Sequence, residues 1–326
     1  MDNKIVKENA EDKDSKTLEL LKIRSNGAVL RDGLKLYLNN FRVIFKASWF
    51  SAILYAIAIG SVATFTINVV TNLLRMVMVG ELSATNNDLV LNIVCFAIGL
   101  LLVLCAETFL FSSVFSLLHK HSSTGIIPTP SHWYGSNDKQ SFIRTVWTMI
   151  VLSLVIIVYS FISGAFYYML VGKLSILALA ILLFILFITM LIALPILAMR
   201  MLPYIINNTK SMFGFSIPIR YWGTILSICI GVATMVGIAL LITTLPSSIL
   251  LMANIQSVGG AIYGDPTGMP SYMIWMNIGV FTLAGFIQAY VHMAAIFPFY
   301  YLYGSIEKQK EERKNYNNIY EKNSVY

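Results

Sequence analysis

Six long stretches of this chain carry almost no charge, and they restrict what it can fold into more than any other feature. They span residues 47–73, 89–118, 143–171, 174–199, 221–245 and 272–303. An α-helix needs about 20 apolar residues to cross the hydrocarbon of a bilayer. Strands of a membrane barrel are about half that length and alternate in polarity. The pattern therefore predicts an all-α, polytopic membrane bundle of six transmembrane helices. Composition agrees: 57% of residues are hydrophobic and 12% charged, against about 25% charged in soluble domains.

The basic residues orient the bundle. All but two of the 23 Lys and Arg lie before the first stretch, at alternate joints, or in the tail; Arg75 and Lys173 fall on the opposite side. Lys and Arg are retained on the cytoplasmic side of short loops. Both termini are predicted to be cytoplasmic, in a multi-pass protein of the inner (cytoplasmic) membrane. The same bias accounts for the net charge of +7, which otherwise suggests a nucleic-acid partner. About forty polar residues precede the first stretch, so no signal peptide is expected and the first span acts as an uncleaved anchor.

The chain divides into a disordered tail (1–16), an amphipathic region (17–46), the six-helix domain (47–304) and a charged C-terminal helix or tail (305–326). Within 28–45, Leu30, Leu34, Tyr37, Leu38, Phe41, Ile44 and Phe45 recur at helical spacing opposite Arg31, Lys35, Asn39 and Arg42, with Ser25 or Asn26 as N-cap. This reads as an interfacial helix with its basic face toward anionic headgroups. The same pattern also serves helix-in-groove docking to a protein partner.

Each odd span opens with an Arg and then a Trp: Arg42 and Trp49, Arg144 and Trp147, Arg220 and Trp222. Snorkelling Arg and headgroup-level Trp give this at any membrane entry; three in-out-in hairpins built from one unit also give it. Only Gly172 and Lys173 separate spans three and four, which makes them antiparallel neighbours. Pro246 should end or kink span five by removing a backbone donor. The residues Gly259, Gly260, Gly264, Asp265, Pro266, Gly268 and Pro270 read as an outer loop.

Few side chains are candidates for chemistry. Glu107 is the one acidic group deep in a span, about 18 Å from the cytoplasmic interface if its helix is regular. His292 in span six sits at similar depth, with Gln288 one turn away on the same face. Intramembrane ionisable groups are functional by default, so Glu107, His292 and Gln288 form a candidate polar site; interhelical glue is the plain alternative. Ser48, Ala52, Ala56, Gly60 and Thr64 form an i, i+4 row of small residues, as do Gly223, Ser227 and Gly231. Such rows serve close helix packing or line a groove for a lipid chain. Cys95, Cys105 and Cys229 lie within spans and read as packing residues. His119, His121 and His132 lack a completing Cys or carboxylate and read as a solvated basic joint. No catalytic, metal or nucleotide motif is present, and no cofactor is expected.

The segment 20–47, LLKIRSNGAVLRDGLKLYLNNFRVIFKA, and the exit of span six, FPFYYLYGSIEKQKEER, resemble uncharacterised six-helix bacterial inner-membrane proteins. These are similar in layout to the membrane domain ahead of the catalytic domain in some glycerophosphodiester phosphodiesterases. The resemblance implies the helical layout alone, because the catalytic barrel and its metal-binding acids have no counterpart here. Two functions fit: a non-enzymatic membrane component that binds lipid, or a protein partner through the cytoplasmic helix, the 119–142 loop or the tail; or a small-molecule or proton-coupled transporter using Glu107 and His292.

Overall fold

A segment that is apolar on every face, with its backbone donors and acceptors satisfied internally, has only the helix open to it in lipid. In the computed structural model, described over residues 20–79, 86–127, 139–170, 176–207, 209–212, 216–217, 219–262 and 272–323, the chain forms helices and no strand among those residues. They are α1 (Asn26–Asn39), α2 (Phe41–Val79), α3 (Asn86–Thr124), α4 (Lys139–Leu170), α5 (Ile176–Ile206), α6 (Trp222–Ile262, entered through a 3-10 turn at Ile219–Tyr221) and α7 (Tyr272–Asn323). Helices α2 to α7 are each long and apolar enough to cross a membrane. The chain is a helical, multi-pass membrane protein.

Helix α7 is the hub and touches α1, α2, α3, α5 and α6. Against α2 it runs antiparallel, because Gly60 meets Thr282 and Ile278 while Ala56 meets Gly285. The contact is close: a Cβ on Gly60 would stand 2.2 Å from Thr282 Oγ1 and 3.0 Å from its backbone nitrogen. Ala56 and Gly60 of the predicted row of small residues thus lie where the two long helices approach. Ser48, Ala52, Ala56 and Thr64 in the same row are all buried. The Ser48 and Thr64 hydroxyls donate to the carbonyls of Ile44 and Gly60 in their own helix.

The largest fully buried side chains include Phe297, Tyr300, Tyr301, Leu117, Leu118, Met199 and Ile206, so the core lies at the end of the bundle where α3, α5 and the charged part of α7 meet. We call this the basic end. At the other extreme, none of the residues in the most apolar windows of α4 and α5 is buried. These two helices form the outermost pair, packed on each other, with α3 beside them and α5 also touching α6 and α7.

Helix α1 lies across the basic end with Val29, Asp32, Gly33, Leu36 and Tyr37 buried. Ser25 caps it by accepting from the Ala28 amide at 3.4 Å. Gly33 is required by a close crossing: a Cβ there would fall 2.6 Å from the nitrogen of Pro298. The Tyr37 hydroxyl donates to the Tyr290 carbonyl at 3.0 Å, and burial holds this phenol well above its ordinary pKa.

Several expectations need correction. The helix predicted over 28–45 is broken at Asn40, whose side chain donates to the Leu36 carbonyl at 2.9 Å. Phe41, Ile44 and Phe45 consequently belong to α2. The buried face of α1 is set by Val29, Gly33 and Leu36, which lie against the bundle, while Leu38 is 65% exposed. Pro246 does not end its helix; α6 runs on to Ile262 and takes Gly259 and Gly260 with it. Proline removes one donor, whereas ending the helix in lipid would strand several groups, so continuation wins. Nor are the loop histidines solvated: His121 is buried with Nδ1 2.8 Å from the Tyr300 hydroxyl, and His119 pairs through Nδ1 with the Ile206 carbonyl. These two histidines tie α3 to α7 and α5. His132, Gly264, Asp265, Pro266, Gly268 and Pro270 lie outside the described residues.

Candidate functional site

Two regions deserve description as sites, one polar and one apolar. In the polar one, Tyr55 on α2 meets His292 on α7, and Glu107 on α3 interacts electrostatically with Tyr55. The Tyr55 hydroxyl stands 3.3 Å from His292 Nδ1, their rings meet edge-on with centroids 6.1 Å apart, and the same phenol lies within electrostatic reach of Glu107. Glu107, His292 and Gln288 are each partly buried. Among the described residues no hydrogen bond joins Glu107 directly to His292; Tyr55 is the group that interacts with both. Sequence reasoning missed Tyr55. The available signal was its depth, because a tyrosine well inside span one lies below the interfacial belt such residues usually occupy.

The second region is a cleft between the outer pair α4–α5 and α6. It has a volume of about 530 Å³, within the range of about 300 to 1,000 Å³ for small-molecule sites. Its wall is almost wholly apolar: Val155 and Ile156 from α4, and Ile192, Ala193, Ile196 and Leu197 from α5. The hydroxyls it contains are satisfied internally, since Tyr159 donates to the Leu186 carbonyl at 2.6 Å and Thr189 to the same carbonyl at 2.8 Å. Arg200 and Trp222 complete the lining. A smaller hollow of about 140 Å³, walled by Gly223, Leu226 and Cys229, shares Ile192, Ile196 and Trp222 with the cleft and extends it along the gap between α5 and α6.

The predicted small-residue row on span five is divided by this geometry. Gly231 packs on α1, where a Cβ would lie 2.6 Å from Leu30 Cδ1. Gly223 has open space in front of its Cα and borders the hollow. Ser227 is exposed.

The basic end holds a third cluster, which is structural. The Arg24 side chain, 2% exposed, pairs with Asp32 at 3.1 Å, covers the ring of Tyr301 at 4.4 Å and donates to the carbonyls of Leu20 and Lys22. Its backbone N–H donates to Ser305 Oγ at 3.0 Å. A buried guanidinium with its donors satisfied in this way binds the N-terminal segment to α7 and leaves nothing open to a ligand. Arg144 similarly donates to the carbonyls of Tyr204 and Thr209, and Asn207 donates to the Tyr303 hydroxyl at 2.7 Å. Among the described residues no group of three or more His, Cys, Asp or Glu could hold a metal ion. No protein-family model matches the chain, and no curated protein or solved structure is significantly similar to it.

Proposed function

We propose that this protein is a non-enzymatic, lipid-binding membrane component that takes an acyl chain of a bilayer lipid into the cleft between α4, α5 and α6. In this reading the six spans form three in-out-in hairpins in the inner membrane, with the basic end and both termini in the cytoplasm. The sequence resemblance to six-helix inner-membrane proteins fits that placement. The observation that carries the proposal is the cleft itself: an almost wholly apolar slot, its hydroxyls already satisfied by the protein, suits a chain of methylenes better than a polar substrate. Its rim residues Val155, Ile192 and Trp222 are exposed on helices whose surfaces face lipid, so a bilayer lipid reaches the slot without crossing water.

The test is purification in native lipids followed by native mass spectrometry, comparing the unmodified protein with Ala193→Trp, which fills the slot. A lipid retained at near one-to-one stoichiometry by the first and lost by the second is the expected result. Equal retention in both sinks the proposal.

A second reading, a proton-coupled carrier, is favoured by one observation: the contact between Tyr55 and His292 beside Glu107. Ionisable groups gathered at such depth are the usual parts of a proton path.

A further inference from the structure

We infer that the cleft selects a lipid bearing an anionic phosphate, and that Arg200 is the residue that reads it. The inference rests on the lipid reading of the cleft and adds the headgroup to it.

Ala193, Ile196, Leu197 and Arg200 recur at helical spacing along α5 and all line the slot, so one helix face presents an apolar run that finishes in a cation. Trp222 also lines the slot, 43% exposed. An apolar slot whose α5 face finishes in a guanidinium has the polarity of a phospholipid: acyl chain, then phosphate.

The state of Arg200 points to a ligand rather than to a structural role. A guanidinium stays charged at any physiological pH and carries five donors. The Nε of Arg200 is buried with no hydrogen-bond partner among the described residues. Two other arginines drawn into this end have protein partners: Arg24 has Asp32 and carbonyls, and Arg144 the carbonyls of Tyr204 and Thr209. Leaving a buried charged donor unmet is costly, and no acidic residue lines the slot to meet it. Nε itself is covered by protein, so a ligand in the slot meets the terminal nitrogens of Arg200, which make no hydrogen bond or ion pair with any described residue; phosphate oxygens match them in charge. Basic pockets between transmembrane helices on the cytoplasmic side bind anionic headgroups by this means.

The same chemistry could be met by free phosphate, and the experiment separates the two. The delipidated full-length protein is titrated by native mass spectrometry with phosphatidylglycerol, with diacylglycerol of the same chains, and with inorganic phosphate; Arg200→Gln and Arg200→Lys are titrated alongside. The expected result is at least tenfold tighter binding of phosphatidylglycerol than of diacylglycerol to the unmodified protein. That preference should vanish in Arg200→Gln, persist in part in Arg200→Lys, and be matched by no binding of phosphate alone at millimolar concentration. Equal affinity for the two lipids in the unmodified protein overturns the inference without any variant, and leaves the acyl-chain reading intact. Retention of the preference in a folded Arg200→Gln overturns it as well. Binding of inorganic phosphate as tight as that of the lipid also overturns it, in favour of a soluble anion site. Absence of binding by both lipids removes the lipid reading and the inference together.

Discussion

Replacing Asp32 by Ala should release the N-terminal helix from the bundle while the six spans stay assembled. Asp32 pairs with two arginines of different standing: Arg24, whose side chain is 2% exposed, and Arg31, 76% exposed. Deleting one partner of a buried pair costs about 3 to 5 kcal/mol, because a charge is left uncompensated out of water. Arg24 keeps the carbonyls of Leu20 and Lys22 and the face of Tyr301, so the lower figure, about 3 kcal/mol, applies. That is roughly a 150-fold shift toward the undocked state. Arg31→Ala removes only the exposed arm and should cost less than about 1 kcal/mol. The double replacement Arg24→Met with Asp32→Leu removes both charges and should recover much of the loss. Hydrogen exchange of the 26–39 amides in nanodiscs measures the opening directly. Equal protection in Asp32→Ala and Arg31→Ala, or loss of protection spreading equally through α2, would mean that the Arg24–Asp32 pair is not what holds α1 to the bundle.

Three further outcomes follow from the packing. Gly33→Ala places a Cβ 2.6 Å from the Pro298 nitrogen and 2.9 Å from the Phe297 carbonyl carbon, backbone atoms that cannot rotate away; α1 should undock at a cost of about 1 to 3 kcal/mol, visible in the same exchange experiment. Asn254 and Asn277 are fully buried and exchange hydrogen bonds at 2.9 and 3.3 Å. Asn254→Leu alone should lower stability by about 1 to 3 kcal/mol, whereas Leu at both positions should be nearly neutral, as read by thermal melting in detergent. If the protein is a carrier, Glu107→Gln and Tyr55→Phe should each abolish proton flux into proteoliposomes while leaving the melting temperature unchanged; no flux in the unmodified protein removes that reading.

The six membrane-crossing helices were legible in the sequence because apolarity over about 20 residues has one structural outcome in lipid. The close approach at Ala56 and Gly60 was legible for a related reason: backbones approach closely only where side chains are small, and these two positions meet α7. Less visible were the partners. Arg24 reads as one of many basic residues explained by topology, yet it joins a backbone position 281 residues away. Asp32 sits between basic neighbours and gives no periodic signal of burial. Asn254 and Asn277 look like ordinary polar interruptions near the ends of two spans until the helices are laid side by side. His119 and His121 suggested a solvated joint because the loop after them is polar, whereas α3 continues through both, buries His121 and sets the half-buried His119 against the Ile206 carbonyl. In each case the deciding term is a tertiary partner, and local pattern does not contain it.

The uneven packing of the bundle bears directly on how a ligand would enter. At the basic end the helices are pinned by His121 to Tyr300, Asn207 to Tyr303, Arg144 to the carbonyls of Tyr204 and Thr209, and Arg24 to Asp32. Away from it, Tyr159 on α4 hydrogen-bonds with Leu186 and Thr189 on α5, and the most apolar stretches of both helices hold no buried residue. In the lipid reading, the outer pair would part from α6 along its apolar stretches, where no residue is buried, more easily than at the pinned end. Separation widens the slot lined by Ile192, Ala193 and Ile196 while Arg200, only six residues from the pinned end of α5, stays nearly in place. If the lipid proposal holds, the chain-binding part of the cleft would be adjustable and the cationic part fixed. That division would suit a ligand with a constant anionic head and acyl chains of varying length, entering sideways from the bilayer.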